Sequence, residues 1–339
     1  MYLRYRKITA ILLLAINALL LVSCGSGLPK LKDPIAKQAF LLDTYVTITL
    51  YDKGNEALID ECFDLITSYE DLLSRTKTGS DIYKLNEATE FPFEVQPETA
   101  ELIDKALHYA DISNGAFDPT IEPVSSLWDF KGNSKTAPTV TDIISELSHI
   151  GYKKVKNNEN LITFEDKDMG LDLGAIAKGF IADKVKEFLV SKGVTSAIIN
   201  LGGNVLCIGS KPDGSAFKIG IQKPFEDYAE TVGVVGVKDV TVVSSGIYER
   251  CFTDEDGNFY HHILNPATGY PYDNELVAVS IITKYSVDGD GLSTTCFALG
   301  TEKGLELINS LPDTYAVFID KEGNMTYSDG FQDLLIETE

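Results

Sequence analysis

The chain is poor in the residues that most often carry chemistry. Among 339 residues there are four histidines and one tryptophan. The five cysteines, Cys24, Cys62, Cys207, Cys251 and Cys296, are scattered, with no CxxC pair or other metal-ligand spacing. That excludes a cysteine-based metal site, and no disulfide framework can be read. Cys62 and Cys296 fall within apolar helical patterns and read as small core residues. Positive charge is scarce as well: 29 Lys and Arg stand against 51 Asp and Glu, a formal charge of −22. Nucleic-acid binding relies on Lys/Arg stripes along phosphates, and no such stripe exists. Any anionic ligand would need local help from a metal ion, a helix N-terminus or a few placed lysines. Two phosphate-binding fingerprints, GxGxxG and GxxxxGK[ST], are absent. There is no internal repeat and no low-complexity tract.

One long apolar run exists, and it stands at the start. MYLRYRK carries Arg4, Arg6 and Lys7, and ITAILLLAINALLLV follows it. This run is short for a comfortable transmembrane span and is flanked by charge on one side only. It ends in LVSC, a small residue directly before Cys24, which is the bacterial lipobox order. The reading is a lipoprotein signal peptide over residues 1–23, then a lipidated Cys24 and a Gly/Pro/Lys tether over residues 24–37. The domain would then be anchored to the bacterial cell membrane by lipid, on the extracytoplasmic side.

Residues 38–339 contain no clear linker and read as one domain. A strand is expected over 40–52. Apolar period predicts helices over 55–75, 97–115, 139–151 and 175–193. A hairpin is expected over 151–166, and strands over 195–211, 217–224, 231–252, 258–266 and 275–284. A buried helix over 290–299, another over 304–311 and a hairpin over 315–330 complete the chain. The elements do not alternate regularly, so the fold class is α+β rather than doubly wound.

Four segments attract attention. In YHHILNPATGYPYDN, residues 260–274, half of the histidines stand side by side as His261 and His262, directly before the turn Asn265–Gly269. In DGDGLSTT, residues 288–295, a helix starting near Asp290 would place Asp290 and Thr294 one turn apart on one face. That is a hard-oxygen pair suited to Mg²⁺, with Asp288 as a further candidate; the same residues also suit a plain helix N-cap. In DLGAIAKGFIADK, residues 172–184, a short strand ending at Asp172 turns at Gly174 into a helix. Such a junction exposes backbone groups, and it also occurs as simple packing. NLGGN, residues 200–204, permits close approach of a flat ligand or makes an ordinary turn.

In chain order FLLDTYVTI, LLSRTKTGSDIYKLN, GAFDPTIEPVSSLWDF, DLGAIAKGFIADK, NLGGN, HHILNPATGYP and DGDGLSTTCFALG resemble the ApbE family. Its members are FAD:protein FMN transferases, often lipoproteins, and the resemblance spans roughly residues 38–325. It implies a single T-fold-like α+β domain. It implies Mg²⁺ held by Asp290, Thr294 and a backbone carbonyl at Ala175. It implies FAD contacts from Leu42, Thr76, Ala116, Phe117, Asp118, Asp172, Lys178 and Ile263, with His262 as catalytic base. The implied reaction moves the FMN half of FAD onto a Thr or Ser hydroxyl of a partner flavoprotein and releases AMP. His261, on the opposite strand face, would merely pair with solvent or a backbone carbonyl. Two positions depart from the family pattern: Thr76 stands where an aromatic is frequent, and Asn265-Pro266-Ala267 where Asp-Pro-Arg is common. Two other readings remain beside the transferase: an Mg-dependent FAD pyrophosphatase that gives FMN and AMP, and a non-enzymatic flavin-binding lipoprotein.

Overall fold

The computed structural model describes residues 28–132, 134–226 and 230–337. The expected signal peptide, Cys24 and the first residues of the expected tether lie outside the described residues. β1 (Ile35–Leu41) and β2 (Thr44–Leu50) pair in a register that sets Leu41 against Thr44. Only Leu42 and Asp43 lie between them, and both take positive φ, 54° and 57°, as a two-residue hairpin turn requires. The single strand expected over 40–52 is therefore a reversal. It carries neither Gly nor Asn, the residues that usually mark such a turn. Within the segment expected as tether, the Leu31 N–H donates to Asp52 O at 2.8 Å, so that part already pairs with the domain.

The hairpin forms one edge of an eight-stranded sheet in the order β1-β2-β6-β7-β10-β13-β14-β15. The remaining members are β6 (Ser196–Leu201), β7 (Asn204–Gly209), β10 (Thr241–Gly246), β13 (Leu276–Thr283), β14 (Tyr315–Asp320) and β15 (Met325–Tyr327). Every neighbouring pair is antiparallel. In β13 all eight residues are buried, which explains its unbroken apolar sequence.

Helices pack on this sheet. α1 (Glu56–Leu73) starts at Asn55, whose side chain accepts the Leu58 N–H at 2.9 Å, and buries Leu58, Ile59, Cys62 and Ile66. Next come α2 (Asp81–Asn86), β3 (Phe93–Glu94), α3 (Pro97–Ile112), the short α4 (Glu122–Ser125) and α5 (Val140–Leu147). The expected hairpin over 151–166 appears as β4 (Val155–Asn158) and β5 (Leu161–Phe164), with β3 added to it. α6 (Ala177–Ser191) directs Phe180, Ile181, Val185 and Leu189 inward as the pattern predicts. The strand expected to end at Asp172 is absent. Residues 165–176 form an irregular segment pinned by buried Leu171 and Leu173 and by an Asp172 N–H to Pro119 O bond of 2.8 Å. The pairs β8 (Phe217–Gln222) with β9 (Thr231–Val237), and β11 (Cys251–Thr253) with β12 (Phe259–His261), make two small ribbons. A satellite core of Val124, Trp128, Ile143, Phe252 and Leu264 ties β11 to α4 and α5.

α7 (Ser286–Asn309) lies over β10 and β13 and against α6. It spans both expected C-terminal helices, which are joined across a break at Gly300 (φ 78°, ψ 176°). It also begins four residues before Asp290. The sequence hides this start because the cap comes from elsewhere in the chain. Asp183 of α6 accepts the N–H groups of Ser286 and Val287, both at 2.9 Å. The favour is returned: α6 has no capping side chain of its own, and Asp290 of α7 accepts its Gly179 N–H at 2.6 Å. The two helices thus cap each other. Burial pushes the Asp183 carboxyl up to about 6, against the N–H bonds that favour its charged form.

The crossing leaves no room for a side chain at Gly179, where an added Cβ would meet Ser286 O at 2.2 Å. Gly179→Ala is expected to destabilise the fold by on the order of 3 kcal/mol, read as a lowered denaturation midpoint. Gly203→Ala tests the turn after β6, where a Cβ meets nothing within 4 Å but φ is 92°. It should cost only the smaller backbone penalty, about 1 kcal/mol.

Candidate active site

Between the β1–β2 turn, the start of α6, the middle of α7 and the ribbon of β11 and β12 lies a cleft of about 500 Å³. All twelve residues expected at a site line it: Leu42, Thr76, Ala116, Phe117, Asp118, Asp172, Ala175, Lys178, His262, Ile263, Asp290 and Thr294. They come from stretches spread over more than 250 residues of sequence, and it is the sheet that gathers them. Asp288 does not line it. It sits in the first turn of α7 and accepts Tyr109 Oη at 2.8 Å and Lys105 Nζ at 3.2 Å. Asp288 therefore does not join Asp290 in the cleft, against the expectation of a further ion ligand.

Asp290 is 5% exposed. Its Oδ2 takes the Gly179 N–H, and its Oδ1 takes Asn204 Nδ2 at 2.9 Å. Asn204, in turn, accepts Ser286 Oγ at 2.6 Å. Asn204 is the last residue of NLGGN, so that segment serves to orient Asp290 at the start of β7. Burial raises the Asp290 carboxyl above the usual range, and Lys178 and the two N–H donors pull it back. Thr294, one turn on, lies 3.5 Å from Ser245 Oγ of β10, and Ala298 continues the same cleft-facing stripe. Asp290 is thus no cap for its own helix. The Gly179 N–H is spent on Asp290, and the Ala175 carbonyl accepts no hydrogen bond from the described residues.

A buried carboxylate, a hydroxyl and an unpaired carbonyl, all oxygen, suit a hard divalent cation. A second cation-competent group, His149, Asp166 and Asp168, lines no part of the cleft. Its His149 Nδ1 and Asp166 Oδ2 pair with each other at 2.7 Å.

His262 faces the cleft, and its ring is oriented by the neighbouring ribbon strand. Its Nδ1 lies 3.3 Å from Arg250 O, and its own N–H donates to the same carbonyl at 3.1 Å. Nδ1 therefore carries the proton, and Nε2 is left as an acceptor. Burial, helped by the charge of Arg250, pushes its pKa down to about 3. His261 points away from the cleft, as strand alternation predicts, and pairs with a backbone carbonyl, Tyr272 O, at 3.0 Å. Burial pushes it down to about 4.

The remaining residues shape the walls. Asp172 Oδ2 meets Arg75 Nε and Ser125 Oγ, both at 3.0 Å, while its Oδ1 takes the Gly174 N–H. Asp118 caps the turn at Pro119–Ile121 and also accepts the Tyr152 N–H at 3.0 Å, so both of its oxygens hold backbone. Burial raises its carboxyl. Tyr272 Oη donates to Ala116 O at 2.9 Å. Leu42 and Asp43 form the rim opposite Lys131, which pairs with Asp43 and holds that carboxyl below its usual value. Thr76 is exposed at the same mouth. Phe130 also lines the cleft and stacks on Trp128 at 5.3 Å and 7°. Sequence reading passed over Glu249, Arg250, Phe130 and Ser245. Tyr248-Glu249-Arg250 adjoins a strand end and carries charge of both signs, but nothing in its spacing marks a site.

Both cleft-proximal histidines stay neutral. Their folded pKa values lie below the unfolded value near 6.5, so the unfolded chain takes up protons that the folded chain refuses. Their contribution to stability is full above that value and declines as the pH falls through the acid range. Imidazole NMR signals of His261 and His262 should therefore show no titration between pH 8 and about 5; a midpoint near 6.5 for His262 would contradict the enclosed geometry.

The ApbE family model matches residues 42–319. A protein of Klebsiella pneumoniae (strain 342) named FAD:protein FMN transferase is 36% identical over 293 residues, covering 86% of this chain and 90% of the relative. A protein of Treponema pallidum (strain Nichols) with the same name is 31% identical over 331 residues, covering 92% and 91%. Among solved structures, the ApbE protein of Thermotoga maritima aligns with a TM-score of 0.82 at 28% identity, over 90% of this chain and all of that one. The flavin transferase ApbE of Vibrio cholerae aligns at 0.80 and 25% identity, over 91% of this chain and all of that one.

Proposed function

The chain belongs to the ApbE family, and from that premise we propose that it transfers the FMN half of FAD, with Mg²⁺, onto a Thr or Ser hydroxyl of a partner flavoprotein. It is an enzyme of the transferase class, as its named relatives are. The observation that carries the finer reading is the meeting, in one cleft, of a neutral acceptor histidine and an all-oxygen cation set on Asp290, Thr294 and Ala175.

The chemistry is a substitution at phosphorus. The acceptor hydroxyl oxygen bonds to the FMN-side phosphorus, the bond from that phosphorus to the bridging oxygen breaks, and AMP departs with the bridging electrons. The hydroxyl proton passes to His262 Nε2, whose tautomer is set by Nδ1–H donation to Arg250 O. A bound Mg²⁺ would neutralise the diphosphate. Lys178, at the start of α6, brings positive charge to the same corner, and the N-terminus of that helix adds its dipole. The buried apolar side chains of the walls, Phe117 and Ile263 among them, exclude water and strengthen each of these interactions. The acceptor flavoprotein supplies the nucleophile. Hydrolysis would need only water in its place, so exclusion of water from the occupied cleft is what favours transfer over pyrophosphatase action.

The reading also includes the lipid anchor: the basic start, apolar run and LVSC ending at Cys24 support attachment to the bacterial membrane with the domain outside the cytoplasm. Two experiments test these proposals. Incubation with FAD, Mg²⁺ and an acceptor flavoprotein should add one FMN to the acceptor by intact mass. His262→Ala should slow this by roughly 10²–10⁴-fold, and Asp290→Ala should abolish it. Full labelling by Asp290→Ala overturns the cation assignment, and rapid AMP release without acceptor favours the pyrophosphatase. Cys24→Ser should leave the leader uncleaved and the protein unlabelled by radioactive palmitate.

A further inference from the structure

The direction of one proton decides whether Thr294 can serve a cation. A threonine hydroxyl has one O–H and two lone pairs. An ion draws on a lone pair, so the O–H must be directed elsewhere. Three contacts beside Thr294 bear on that direction. Ser293 Oγ lies 3.0 Å from Asp290 O, Ser245 Oγ lies 2.7 Å from Ser293 Oγ, and Thr294 Oγ1 lies 3.5 Å from Ser245 Oγ.

A carbonyl only accepts, so the first contact takes the single proton of Ser293. Ser293 then accepts in the second contact, which takes the proton of Ser245. Ser245 then accepts in the third, and Thr294 is the donor. No other assignment makes all three contacts hydrogen bonds. Ser293 is fully buried, so its hydroxyl has no water to turn to. Ser245 is half-buried in the cleft wall, and its strand neighbour Ser244 pairs elsewhere, with Ser280 Oγ at 2.7 Å. The Thr294 hydroxyl has no other hydrogen bond among the described residues. At 3.5 Å its link to Ser245 is the weak one of the three. A cation on the Thr294 oxygen polarises the O–H and makes it a better donor, so binding and the link reinforce each other. The chain of hydroxyls thus runs from one residue of the cation set, Thr294, to the backbone of another, Asp290.

We propose that Ser245 is a positioning residue for the cation: by accepting the Thr294 O–H it turns the lone pairs of that hydroxyl toward the ion held with Asp290 and Ala175, and Ser293 sets its polarity from behind. This rests on the Mg²⁺ part of the proposed function. The competing role for a hydroxyl in the cleft wall is a direct bond to the flavin nucleotide, and the two roles make opposite predictions.

The test is a Mn²⁺ titration of the full-length protein without nucleotide, with free Mn²⁺ followed by electron paramagnetic resonance, beside an FAD titration in EDTA followed by flavin fluorescence. Ser245→Ala should weaken Mn²⁺ binding by about tenfold and leave FAD affinity in EDTA within twofold. Ser293→Ala should weaken Mn²⁺ binding by roughly three- to tenfold, although Ser293 lines no part of the cleft. With its acceptor gone, Ser245 turns its proton to Thr294 and reverses the last link. The double variant should bind Mn²⁺ no more weakly than Ser245→Ala, because Ser293 acts only through Ser245; two hydroxyls that merely support the fold would give losses that multiply. Ser244→Ala, one position along the strand, should leave Mn²⁺ affinity within twofold. Matching denaturation midpoints show that the variants fold, and Ser293→Cys, which refills the volume with a weak acceptor, replaces Ser293→Ala if the midpoint of the latter falls. Mn²⁺ affinity within twofold of the parent in Ser245→Ala overturns the proposal. So do multiplying losses in the double variant, an equal loss in Ser244→Ala, and a tenfold loss of FAD affinity in EDTA, which assigns the hydroxyl to the nucleotide. A parent protein that binds no Mn²⁺ overturns the cation reading and this proposal with it. No flavin or acceptor enters the Mn²⁺ titration. Failure of FMN transfer by the parent protein would thus sink the proposed function and leave this result readable on its own.

Discussion

The structure turns on one buried carboxylate. Asp290 accepts the Gly179 N–H of the helix beside it and the Asn204 amide of the strand beneath it. Three elements far apart in sequence are thereby fixed against one another at the floor of the cleft. The reverse capping by Asp183 closes the arrangement, so neither helix terminus can shift without exposing unpaired N–H groups of the other. Gly179 is the steric condition for it, because the Ser286 backbone occupies the place of a side chain. A group so placed does two jobs. It completes a helix end, and it presents a carboxylate in a fixed direction at the wall of the cleft.

The electrostatics of the cleft follow from that placement. The chain as a whole carries strong negative charge, and a dinucleotide diphosphate is an anion. Attraction must therefore be local. Lys178, the exposed start of α6 and the oxygen set for a cation are concentrated at one end. At the same end the histidine is kept neutral by enclosure and by the nearby Arg250 charge. An imidazole that is already unprotonated has its lone pair available, and the arriving phosphate charge raises its affinity for a proton. The acidic exterior does not oppose this, since solvent and salt screen exposed charges over about 8–10 Å.

One wall of the cleft is held by aromatic packing. Phe130 lies flat on Trp128, and Trp128 is fixed by donation to Gly269 O at 3.0 Å. The Pro-x-Thr-Gly turn after the histidines thus acts through packing: its Gly269 carbonyl anchors the wall, and its neighbour Tyr270 packs edge-on against the indole. The absence of an arginine at position 267 removes one charge from an exposed loop and leaves this packing intact.

Local pattern was enough for the amphipathic helices, the strands of strong apolar character and the α+β class, because burial period is written residue by residue. The segments holding Asp290, Lys178 and His262 were legible too, since each is a compact run of unusual residues. Other features were not legible, and for one reason: their partners are distant in sequence. The reversal at Leu42-Asp43 lacks the Gly or Asn that usually marks such a turn, and it is set by the register of β1 on β2. The start of α7 was placed four residues late because its cap is Asp183, a hundred positions upstream. Asp288 was read as a further candidate ligand beside Asp290, and the rotation of α7 sends it to Tyr109 instead. The sequence by itself determined which groups are available and the period on which they recur. The tertiary structure decided which of them share a cleft and which are already satisfied, because hydrogen-bond satisfaction and desolvation depend on neighbours that the chain brings together only when the sheet closes.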